Sequence, residues 1–129
     1  MQLSTTHQQP DLFQVYCQTE IDGVEMGVLS NGVPYLSGRG LARMCGIDHA
    51  VLHRMAANWN DEKHKPRGSY IATILGHMGF FGESLYSKAL LGGVEVNAYT
   101  EPVCMAILEY YAFNDKRDQA YTSSNNQIK

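Results

Sequence analysis

Ser37-Gly38-Arg39-Gly40-Leu41-Ala42-Arg43-Met44-Cys45-Gly46-Ile47-Asp48-His49-Ala50-Val51-Leu52-His53-Arg54-Met55-Ala56-Ala57-Asn58-Trp59 reads as two short helices and the turn between them. Ser37 and Asp48 are residues that cap helix N-termini. Gly46 stands where a chain leaving the first helix needs a left-handed backbone. Ala42 supplies the small residue at which two helices can meet. Leu41, Cys45, Ile47, Leu52 and Met55 fall on the inward side, and all five are apolar. Asp48, His49, Ala50, His53, Arg54 and Ala57 fall on the outward side of the second helix. Residues 38–59 are therefore expected to form a helix-turn-helix unit. Gly38 and Gly40 run against this, each costing up to about 1 kcal/mol relative to alanine inside a helix.

Outward from this unit, the rest of the chain reads as a mixed domain. Phe13, Val15 and Cys17 alternate as in a strand with one apolar face, over 13–18. Val24–Leu29 and Val33–Leu36 flank Asn31-Gly32, a dipeptide suited to the type I′ turn of a hairpin. Asn60–Gly68 is charged and contains Pro66, so a loop is expected there. Ile71, Ile74, Leu75 and Met78 follow at helical spacing over 69–78, and Gly79–Glu83 breaks the pattern. Leu85–Leu90 and Val94–Tyr99 form a second hairpin around Leu91-Gly92-Gly93. Glu101-Pro102 then opens a last helix through about Phe113, with proline at the first turn. The expected fold class is α+β: one small domain over 12–113 with two β-hairpins, a helix-turn-helix unit and a C-terminal helix. A flexible arm is expected over 1–11 and a disordered tail over 114–129.

The chain of 129 residues carries a formal net charge of −3, which alone argues against a nucleic-acid partner. Its distribution argues the other way. Residues 38–68 hold six basic residues against three acidic ones, and the remainder holds four against ten. Three of the five histidines (His49, His53 and His64) also lie in the basic segment. A positive patch on an acidic body is the electrostatic footprint of a polyanion site. The N-terminal residues lack the basic-then-apolar run of a signal peptide, and no apolar stretch approaches the ~20 residues of a membrane span. A cytoplasmic protein is expected.

Catalytic and metal chemistry find little support in the residues. Cys17, Cys45 and Cys104 are scattered, odd in number and outside any CxxC pair, which fits buried thiols better than disulfides or a zinc finger. Cys45, His49 and His53 are four apart, but the turn at Gly46 interrupts their helical register and no carboxylate accompanies them as in HExxH. No phosphate-binding loop, acid/base pair or cofactor motif is present. The expectation is a binding protein and not an enzyme, with no metal and no cofactor.

If the helix pair docks on double-stranded DNA, chemistry assigns the roles. Arg54 has the fork that matches guanine O6 and N7, His49 and His53 have donors for a base acceptor or a phosphate, and Asn58 stands near the end of the same helix. Arg39, Arg43, Lys63, Lys65 and Arg67 would rest on the phosphate backbone. One short reading helix supplies few contacts, so a homodimer is expected. The alternative partner is a host regulatory or defence protein, bound through the acidic surface outside 38–68 as an antirepressor or anti-CRISPR inhibitor would bind it.

The order hairpin, helix-turn-helix, amphipathic helix, hairpin, terminal helix resembles the N-terminal domains of phage regulatory proteins of the BRO-N and KilA-N kind. Two stretches carry the resemblance in letters: Pro34-Tyr35-Leu36-Ser37-Gly38-Arg39-Gly40-Leu41-Ala42 with Gly46, and Tyr99-Thr100-Glu101-Pro102-Val103-Cys104-Met105-Ala106 followed by Glu109-Tyr110-Tyr111. The resemblance implies a phage or mobile-element protein, in a bacterial host cell, that binds DNA or acts on a repressor. Larger members of that group continue beyond this domain, whereas the present sequence stops soon after it, so a stand-alone module is expected.

Overall fold

The computed structural model describes residues 12–114, so the expected arm over 1–11 and nearly all of the expected tail lie outside the described residues. Five strands are present: β1 (Phe13–Ile21), β2 (Val24–Leu29), β3 (Pro34–Ser37), β4 (Ser87–Leu91) and β5 (Val94–Thr100). They close into a barrel in the order β1-β2-β3-β5-β4. Four of the neighbouring pairs are antiparallel, and β1 closes on β4 in parallel through Phe13–Ala89 and Gln14–Leu90. The two hairpins expected from sequence are thus walls of one barrel. A five-stranded barrel has little room inside, and the small Ala89 and Ala98 are fully buried there. Leu29 and Tyr35 fill the remainder, with Phe13, Val15, Val33 and Val96 packed around them.

The turns obey their own chemistry. Asp22 and Gly23 both have positive φ (53° and 83°) and join β1 to β2 directly, as a two-residue type I′ turn requires. Gly92-Gly93 does the same between β4 and β5. The Asn31-Gly32 turn differs from the expectation. Only Gly32 has positive φ there, the Leu29 carbonyl accepts from Gly32 N, and Leu29 N donates to the Val33 carbonyl. Asn31 uses its side chain to accept from Val33 N instead of entering the left-handed region. The result is a three-residue loop closed by glycine.

A second and larger core lies outside the barrel, between the β3–β5 wall and the helices. Leu36 and Tyr99 reach it from the strands, and Leu41, Leu52, Met55, Trp59, Ile71, Leu75, Val103 and Ile107 from the helices. The helices are α1 (Gly38–Cys45), α2 (His49–Ala57), α3 (Trp59–Glu62), α4 (Pro66–His77) and α5 (Glu101–Glu109), the last continuing as a π-helical turn over Tyr110–Asn114. Asn60–Gly68 is not a loop. It holds most of α3 and the first turn of α4, and Pro66 takes the early helical position where a missing N–H costs nothing. Gly68 permits this, because a Cβ there would lie 1.9 Å from the Glu62 carbonyl oxygen. Met78 caps α4 from the surface and is not a core residue.

β3 passes into α1 with no loop. Ser37 ends the strand and caps the helix, its Oγ accepting from Gly40 N at 2.9 Å and donating to Glu25 Oε1 at 2.8 Å. The glycines that weaken α1 as an isolated helix are what let it lie on β2. A Cβ on Gly40 would meet the Glu25 carbonyl oxygen at 2.4 Å. We predict that Gly40→Ala destabilises the fold by about 1–3 kcal/mol, because backbone must move. Gly76→Ala, whose Cβ would find only the Phe81 ring at 3.8 Å, is expected to stabilise α4 by up to about 1 kcal/mol. Urea midpoints of the two variants check the opposite signs. Equal shifts would contradict the seating of α1 on β2.

Candidate nucleic-acid interface

α2 is held at the edge of the molecule. It starts after Gly46, which has φ of 72° and donates its N–H back to the α1 carbonyls of Ala42 and Arg43. Asp48 then caps α2 by accepting from Ala50 N at 2.9 Å. The main packing partners of α2 are α1 and α3, not the barrel. Its inner face (Leu52, Met55 and Ala56) is buried, while Asp48, His49, Ala50, His53, Arg54 and Ala57 are all exposed. Both faces match the division expected from the sequence. Cys45 and Ile47 are half-buried against the same core. Burial of a large apolar side chain contributes roughly 1.5–3 kcal/mol, so the inner residues suffice to anchor a nine-residue helix that is marginal alone.

The nine candidate contact residues divide into three groups. Arg39, His53, Arg54 and Lys65 are exposed, Lys63 is half-buried, and none of the five is in an ion pair among the described residues. His49 is exposed but also structural: its ring stacks edge-on with His53 at 6.2 Å between centroids, and Nε2 approaches the Cα side of Gly38. A Cβ on Gly38 would meet that nitrogen at 2.8 Å.

Arg43, Asn58 and Arg67 have jobs within the fold. Arg43 Nε donates to the Asp22 carbonyl at 2.8 Å, tying α1 to the β1–β2 turn. The same arginine fills the space a side chain at Gly23 would need. Asn58 Nδ2 donates to the Arg54 carbonyl at 3.1 Å and closes the C-terminus of α2. Arg67 departs furthest from the phosphate-binding expectation. Its Nε is 2.8 Å from Glu62 Oε2 and its Nη1 donates to the Tyr111 hydroxyl at 3.3 Å. Glu62 is the one buried charged residue among those described, and its hydrogen bond raises the Arg67 pKa.

Sequence patterning gave no sign of this triad, because Glu62 reads as one of several charges in a polar run. Removing the Glu62–Arg67 pair from the charge count of 38–68 leaves the balance positive, with five basic and two acidic residues.

A second feature missed from sequence is an apolar groove of about 680 Å³ on the outer wall of β1–β2–β3, beside α5. Burial pushes the thiol pKa values of Cys45 and Cys104 up to about 12, and Cys104 Sγ also contacts the Tyr99 carbonyl at 3.2 Å. Among the described residues, no group of three or more histidine, cysteine or acidic side chains is placed to hold a metal ion. No helix there is long and apolar enough to cross a membrane.

Comparison with family models, curated proteins and solved structures finds no match for this chain.

The half-buried Cys45 and buried Cys104 give a direct check on the packing around α1 and α5. At pH 7.5 a thiol-reactive disulfide reagent is expected to modify exposed Cys17 first, half-buried Cys45 more slowly, and to spare Cys104 until denaturant is added. Because burial raises the folded-state pKa values of Cys45 and Cys104, stability is retained below the ordinary thiol range near 9.0 and falls as pH rises from there towards 12. Rapid native labelling of all three would contradict the packing.

Proposed function

We propose that this chain is a DNA-binding regulatory protein of phage or mobile-element type, with α1 and α2 acting as its helix-turn-helix and α2 entering the major groove. The observation that carries the reading is α2 itself. It is a peripheral helix with a buried apolar face and an outward face of His49, His53 and Arg54, and the exposed Arg39, Arg54 and Lys65 form no ion pair among the described residues. A cation spared from the fold's own ion pairs is free to displace counterions from a phosphate chain. In this reading Arg54 pairs with a guanine edge, His49 and His53 contact base or phosphate, and Arg39, Lys63 and Lys65 rest on the backbone. A homodimer, each subunit on one half-site, supplies the contact area that one nine-residue helix lacks. The phage assignment rests on the sequence resemblance alone.

A specific feature supports the second reading, an inhibitor that binds a host protein through an acidic surface. Glu20 and Glu25 are direct register partners on β1 and β2, and Asp22 is exposed in the turn beyond them. Like charges facing each other across a sheet are destabilising, and the Ser37 hydroxyl donates to Glu25 alone of the two. No described residue forms an ion pair with either glutamate.

Fluorescence anisotropy with a randomised duplex pool, followed by selection and titration on the enriched site, separates the two. Arg54→Ala is expected to cost about 1–3 kcal/mol on the selected site and to relax its sequence preference. Lys65→Ala is expected to weaken all duplexes alike and to lower the salt slope by about one. Absence of duplex binding at low salt would overturn the DNA reading.

A further inference from the structure

We infer that the groove beside α5 is a docking site for an amphipathic helix of a partner protein that carries a lysine or arginine opposite Glu101. The floor of the groove is sheet. Val28 and Met26 of β2 are half-buried on the outer barrel wall between α1 and α5, next to Leu36 of β3, Met26's register partner, where that wall meets the helical core. Met105 of α5 forms one side and Met44 of α1 one end, and each is about half exposed (50% and 47%). A sheet face bordered by helices is completed by another helix, the layer that buries sheet faces generally. Thioether rims suit this, because methionine is unbranched and repacks around side chains of different shape.

Charge identifies the occupant. Among the residues lining the groove, Glu101 alone is acidic or basic. It is exposed in the first turn of α5 and has no ion pair among the described residues. A wholly apolar occupant would leave that carboxylate facing hydrocarbon, and an acidic one would be repelled. An apolar stripe ending in a cation satisfies both surfaces. The chain's own outlying segments lack such a stripe, since Met1 and Leu3 are the only large apolar residues in 1–11, and Tyr121 and Ile128 those in 115–129. The inference is separate from DNA binding, as the groove involves neither α2 nor its cations.

The test uses the full 129-residue chain without DNA and two fluorescein-labelled helical peptides. Both have leucines at i, i+3, i+4 and i+7. One places lysines beside the stripe, and the other places glutamates in the same positions. The lysine peptide is expected to bind about 3–10-fold more tightly than the glutamate peptide. Glu101→Gln is expected to abolish that preference, and Glu101→Lys to reverse it. Met105→Gln, at a half-exposed position outside the core, is expected to weaken both peptides without moving the urea midpoint. Equal binding of the two peptides, no binding, a preference that persists in Glu101→Gln, or self-association of the chain that displaces the peptide would each overturn the inference.

Discussion

The placement of α2 depends on α1 lying directly against the β1–β2 hairpin. Three ties make that contact. The glycine backbone at Gly40 passes within van der Waals range of the Glu25 carbonyl, Ser37 bonds both its own helix and Glu25, and Arg43 reaches the carbonyl of Asp22. With α1 fixed, Leu41 and Ala42 are buried in the helical core, and Gly46 sets the direction in which α2 departs. The barrel is the rigid frame, α1 is bonded to it, and α2 is presented from α1. Its outward side chains therefore have defined positions, as a site that recognises a rigid partner needs.

Much of the molecule's charge serves this construction instead of a partner. Arg43 and Arg67 belong to a run of cations that resembles a polyanion site when read as letters. Arg43 is tethered by a turn carbonyl, which leaves its charge in place but fixes its position, and Arg67 is paired with the buried carboxylate of Glu62. The Arg67–Glu62–Tyr111 contact joins the start of α4, the end of α3 and the π-helical turn after α5. Breaking such a contact strands a charge, and for a partly buried pair this costs of order 1–3 kcal/mol. The cations left over, Arg39, Arg54, Lys63 and Lys65, are the ones on which the DNA reading rests.

The local features were legible in the sequence because local chemistry sets them. The Ser37 and Asp48 caps, the left-handed Gly46, the Gly92-Gly93 turn and the burial of Leu52 and Met55 follow from residue type and spacing. Closure of the barrel was not legible, because the parallel contact of β1 with β4 joins residues more than seventy positions apart and leaves no periodic signature. Two misreadings had local causes. Asn31-Gly32 carries a type I′ signal, yet Asn31 satisfies its side chain on Val33 N, while Asp22-Gly23 makes the tight turn. Pro66 lies in a charged run with the composition of a loop, yet it starts a helix, as Pro102 does. Of the candidate contacts, exposure on α2 was foreseeable from helical spacing. The internal partners of Arg43, Asn58 and Arg67 were not, since each lies across a turn or in another element.

In the proposed function, α2 is the surface that meets DNA. Amide chemical-shift mapping of isotope-labelled protein, titrated at low salt with a selected duplex, tests it most directly. The largest shifts are expected on His49, His53, Arg54 and the neighbouring Arg39, with smaller ones at Lys65 and with the β1–β2 turn and the α5 groove unmoved. Shifts confined to the barrel wall or the groove, with α2 silent, would contradict it.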